Sequence, residues 1–97
     1  MKYIYAIETK SFFKNANGID YQVADLGTLP MLFGNFKKAV MMMQRKRDTH
    51  TQLFGEILTK DYTADELKEP FVMDKFETVG PTDGTRTIVT LYKIIMN

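Results

Sequence analysis

Ninety-seven residues, 44% hydrophobic and 12% aromatic, supply one modest core and leave no room for a second domain. There is no cysteine, which excludes disulfides, thiol nucleophiles and thiolate metal sites together. Thirteen basic against twelve acidic residues leave a net charge of +1, which excludes a global field pulling the chain onto nucleic acid or an anionic membrane.

The charge is uneven along the chain. Up to Asp48 there are eight basic and four acidic residues, and from Thr49 onward five basic and eight acidic. Either the two halves pack together and mix their charges, or the surface is bipolar and steers a charged partner. The apolar run at 39–43 falls far short of the roughly 20 residues a membrane span needs. Residues after Met1 show no signal-peptide pattern. With the lack of cysteine, this makes a cytoplasmic protein the expectation.

The first predicted element is a strand over residues 2–13, where Tyr3, Tyr5 and Ile7 alternate with Ile4, Ala6 and Glu8. Asn15, Ala16, Asn17 and Gly18 form a turn cluster, since Asn and Gly tolerate the positive φ of a tight hairpin. A second strand over 19–26 completes the hairpin, with Ile19, Tyr21 and Val23 on one face.

Gly27 closes that strand, and a helix is expected over about 30–48. Two starts compete. Thr28 as cap with Pro30 in the first turn is one; Asn35 capping Phe36 onward is the other. Gly34 inside the longer helix costs about 1 kcal/mol relative to Ala. Leu29, Leu32, Phe33, Phe36, Ala39, Val40 and Met43 share one helical face. Arg45, Lys46 and Arg47 bring positive charge to the last turn, where the dipole favours it.

Residues 52–59 read as a short strand with a bulge at Gly55. Thr63 and Glu66 form a capping box that opens one helical turn near 64–68, stopped by Pro70. A strand over 71–79, a turn over 80–84 and a strand over 85–96 follow. The last is apolar on both faces, as a central strand is. The expected fold is one α+β domain over 1–97. An antiparallel sheet of four or five strands carries one long amphipathic helix on one face.

Catalytic chemistry finds little support. His50 is the only histidine and Ser11 the only serine, with no nucleophile motif around either. A surface or loop position is expected for His50. Asp61, Asp65, Glu66 and Glu69 cluster without EF-hand spacing, so no metal is expected. Gly27 and Gly34 match no phosphate-binding fingerprint. No enzyme activity and no cofactor are expected.

The helix carries the most informative surface. Lys38 and Arg45 lie opposite its apolar face, with Lys37, Met41 and Met42 around them. Methionine adapts its shape and is over-used at promiscuous binding surfaces. These five residues are the candidate partner-binding patch. The bland alternative folds Met41 and Met42 against a neighbouring strand or loop. Arg47 falls on the core side of the helical wheel, placed to neutralise an acid at the core's edge. Tyr3, Tyr5, Phe12 and Phe13 form a second candidate, a ligand or dimer seam, weighed against plain core packing.

In size and architecture the chain is similar to small accessory proteins of bacteriophages and mobile elements, which implies binding and inhibition of a host factor. The leading expectation is a non-catalytic binding protein acting through a protein surface. A small-ligand or nucleotide-sequestering module is the alternative, and a nucleic-acid-binding protein using Lys37, Lys38, Arg45 and Arg47 a further one. A homodimer is also expected, because one helix cannot cover both faces of a sheet whose last strand is apolar on both.

Overall fold

The computed structural model describes residues 2–14, 20–22, 30–81 and 85–96, and the backbone alone for 13, 14 and 20–22. The expected turn at 15–18, most of the second strand, Gly27 with Thr28, and the tip of the 80–84 turn lie outside these residues.

Two long strands form the frame. Strand β1 (Lys2–Lys14) pairs antiparallel with β6 (Arg86–Met96), in a register running from Lys2 opposite Met96 to Phe12 opposite Arg86. On its other edge β1 pairs with two short strands, β2 (Asp20–Gln22) beyond Phe12 and β3 (Met31–Phe33) beside Tyr5, Ala6 and Ile7. Beyond β6 come β5 (Val72–Val79) and then β4 (Ile57–Asp61) as the far edge, all antiparallel. The sheet is therefore five positions wide, with β2 and β3 sharing one of them. Strand β6 is central, as its two apolar faces imply.

Helix α1 (Phe36–Asp48) begins at the second of the two competing starts. Asn35 is the cap, its side-chain oxygen accepting from the Lys38 N–H at 3.2 Å. The helix is thus shorter than the expected 30–48. Residues 31–33 give the open edge of β1 a hydrogen-bonding partner and place Phe33 against the core, which outweighs six more helical residues interrupted by Gly34.

The helix crosses one sheet face. Ala39 and Met43 are fully buried against Ile7, Phe76, Val89 and Leu91. The buried stripe is narrower than expected: Phe36 and Val40 remain 44% and 43% exposed, and Leu32 lies on the opposite face of the sheet at 65%. Met42 packs beside Tyr5 and Phe33 at the edge of the core.

After Asp48 the chain makes a π-helical turn, Thr49–Leu53. The Thr51 hydroxyl donates to the Arg47 carbonyl at 2.8 Å, the acceptor an α-helical N–H at that position would use. The Phe54 N–H reaches the Thr49 carbonyl, five residues back. The strand expected over 52–59 thus starts only at Ile57. Gly55 turns the chain at φ +65° instead of forming a bulge, and the register shift falls between Leu58 and Lys60.

A single 3-10 turn, Ala64–Glu66, occupies the expected place. Glu66 reaches back to the Thr63 N–H at 3.1 Å, as a capping box requires. The Thr63 hydroxyl donates to that same carboxylate at 3.1 Å, and the Glu66 N–H goes to the Thr63 carbonyl at 3.0 Å.

The face of the sheet away from α1 is mixed, with Ile4, Ala6, Ile88 and Ile94 around a polar centre. By the β1–β6 register, Glu8 and Lys10 lie there with Thr90 and Tyr92. Lys10 pairs with Glu8 at 3.3 Å, and Tyr92 donates to Glu8 at 3.5 Å. Burial and the nearby Glu8 raise the Tyr92 phenol above its ordinary range.

Candidate protein-binding groove on the helix

The β1–β3 pairing sets Phe33 on the helix side of the sheet, directly before the Asn35 cap. The turn at Gly34 then lays α1 back over it, so a shallow cavity of about 210 Å³ opens between them. Phe33, Met41 and Met42 supply its apolar lining, and Lys38 and Arg45 its rim. Four of the five candidate residues thus come together with Phe33, a residue expected within the helix and found on β3. Lys37 is exposed one position from Lys38 and does not line the cavity.

Met41 and Met42 divide between the two readings of the patch. Met41 is 60% exposed, whereas Met42 rests against the core and offers only its outer side. Among the described residues, Lys37, Lys38 and Arg45 make no ion pair. The groove is therefore an apolar floor between two cations that no described carboxylate pairs.

Arg47 behaves differently. Its Nη2 donates to Asp61 at 2.8 Å and to Asp74 at 2.7 Å, while the guanidinium lies 4.9 Å from the Phe76 ring centroid. Burial would lower its pKa, but the two carboxylates outweigh that and raise it. This is the core-edge neutralisation that its place on the helical wheel implies. It also removes Arg47 from any phosphate-binding set.

His50 is not a simple surface residue. Its Nδ1 sits 2.9 Å from Glu56, and the fully buried Thr78 hydroxyl donates to the same carboxylate oxygen. The imidazole also contacts Phe54 and Phe76 edge-on, at 5.6 and 6.3 Å. The carboxylate stands between hydroxyl and imidazole, so the imidazole is not placed to take the hydroxyl's proton. What the network does is tie the end of the helix to β5. No local signal announced it, because Glu56 and Thr78 are 22 residues apart.

The N-terminal aromatics do not form one seam. Tyr3 and Tyr5 lie on the helix side, with Lys93 Nζ 4.0 Å from the Tyr3 ring centroid and Phe36 5.3 Å from Tyr5. Phe12 lies on the opposite face, where Arg86 sits 5.1 Å from its ring centroid. Strand alternation separates them. Phe13 is placed by its backbone alone, opposite Tyr21.

Two of the four acids in the 61–69 cluster are taken up by ion pairs. Asp61 binds Arg47, and Glu66 binds Lys60 at 3.0 Å. Among the described residues, no group of three or more histidine, aspartate or glutamate side chains is arranged to hold a metal ion. Among the described residues, no helix is long and apolar enough to cross a membrane. No protein-family model matches the chain, and neither a curated protein nor a solved structure matches it.

Proposed function

We propose that the protein is a non-catalytic binding protein whose groove between α1 and β3 docks an acidic, apolar-bearing segment of another protein. One observation carries this reading: adaptable Met41 and Met42 with Phe33 form an apolar floor, between Lys38 and Arg45 that no carboxylate neutralises among the described residues. A partner supplying apolar anchors and carboxylates satisfies both features at once. A host factor blocked by a small accessory protein is the partner class that the chain's size and architecture suggest.

Selection from a displayed peptide library tests this. Peptides rich in Asp or Glu around apolar anchors should be enriched, and their binding should weaken as salt screens the rim. The double reversal Lys38→Glu/Arg45→Glu should abolish it while leaving the circular dichroism spectrum unchanged. Enrichment without acidic residues, or binding indifferent to the double reversal, sinks the proposal.

A further inference from the structure

Strand β6 outruns its neighbour. The last β5–β6 contact is the Lys93 N–H donating to the Phe71 carbonyl at 2.8 Å. There β5 leaves, since Pro70 has no N–H and the Val72 N–H turns to the Glu69 carbonyl at 3.2 Å. Strand β6 continues through Ile94, Ile95 and Met96, paired with β1 on one edge only. Successive backbone groups of a strand alternate between its edges, so Ile95 directs its N–H and C=O to the same edge as Lys93. Among the described residues neither group has a partner. Beside them opens a cavity of about 410 Å³ lined by Phe71, Tyr92, Lys93, Ile94 and Ile95.

We infer that this open edge is filled by the same edge of a second copy, pairing β6 with β6 antiparallel about a two-fold axis at Ile95. In a hydrogen-bonded antiparallel pair two opposed residues exchange both N–H···O bonds, which satisfies the open donor and acceptor of both copies together. The register sets Ile95 against Ile95 and Ile94 against Met96, three residues each more than two-fifths exposed in the single chain. No charge meets a like charge. The far edge of the sheet is guarded: β4 carries Lys60 and a register shift, devices that discourage strand addition. The 94–96 edge carries no charge, proline or bulge. This edge is distinct from the expected dimer contact through the face of β6, where Glu8 and Thr90 lie among Ile88 and Ile94.

The chain has no cysteine, so single-cysteine variants report the register cleanly. In the paired state the two Ile95 Cα atoms lie about 5.5 Å apart, inside the range that admits a disulfide. Ile95→Cys should therefore form a disulfide-linked dimer under mild oxidation at least tenfold faster than Val40→Cys, which is similarly exposed on the helix. In sedimentation the unmodified chain should self-associate, and Ile95→Lys and Ile95→Pro should each remain monomeric with an unaltered dichroism spectrum. Equal rates for the two cysteine variants overturn the inference. So does a monomer persisting up to about 1 mM, where even an interface under ~1,200 Å² is populated. Dimerisation that survives Ile95→Lys overturns it as well, and none of these variants touches the helix groove.

Discussion

Arg47 shows how much one side chain holds in place. It leaves the helix, lies against Phe76 and joins two carboxylates from different strands, Asp61 on β4 and Asp74 on β5. Arg47→Ala strips a charged partner from both acids and should cost about 1.5–3 kcal/mol, the range for hydrogen bonds to charged groups. Urea denaturation of Arg47→Ala, Asp74→Ala and the double variant would measure the coupling; additive losses would show that no real coupling exists. Glu66 offers a titration test. The Thr63 N–H, then Lys60, then the Thr63 hydroxyl hold its carboxyl below the ordinary range. A depressed folded-state pKa stabilises the turn above the unfolded carboxyl value, and that contribution is lost as pH falls through the folded value. Lys60→Ala should raise the Glu66 pKa only partly, because the larger influence is the backbone N–H of Thr63; NMR titration of the side chain reads this directly.

Among the elements, α1 depends on its first residue and on its buried pair. Asn35→Ala removes the cap on the Lys38 N–H and should cost about 1 kcal/mol. Met43→Ala opens a cavity beneath the helix among Ile7, Phe76 and Val89, with an expected loss of about 2–5 kcal/mol. The ratio matters more than either figure. If chemical denaturation shows the cap variant losing as much as the core variant, the helix is not held mainly by packing. Past Asp48 the Thr51 hydroxyl shares the Arg47 carbonyl at the point where the α-helix gives way to the π turn.

For the whole molecule, the long β1–β6 ribbon under a single 13-residue helix gives an elongated body. Its radius of gyration is 14.2 Å, against about 12.5 Å for a compact domain of this length. Stability should be distributed accordingly. Amides of β6 around Thr87–Leu91, bonded on both edges within the core, should exchange slowest, and those of the exposed edge strand β4 fastest of the long-range pairings. Hydrogen exchange that finds β4 as protected as β6 would contradict this. The uneven charge resolves in two ways at once. Arg47 carries the basic half into the acidic one, while Lys37, Lys38 and Arg45 stay unpaired on the helix among the described residues.

What the sequence determined by itself was local: the alternation of β1, the unbroken β-formers of β6, the Thr63–Glu66 turn, and a helix through 36–48 whose apolar spacing extends it too far, to about residue 30. Each of these rests on neighbours a few residues apart, where periodicity and capping act directly. The core-side position of Arg47 was legible for the same reason, since a helical wheel needs only 3.6-residue spacing. The tertiary structure alone decided the rest. Residues 31–33 became a strand because β1 presented an edge to them, 24 or more residues back along the chain. His50 and Thr78 share Glu56, and Phe33 joined the groove, only once the sheet had brought distant segments together. Such contacts are fixed by which backbone groups and apolar surfaces remain unsatisfied after the local elements form, and that remainder appears only when the whole sheet is assembled.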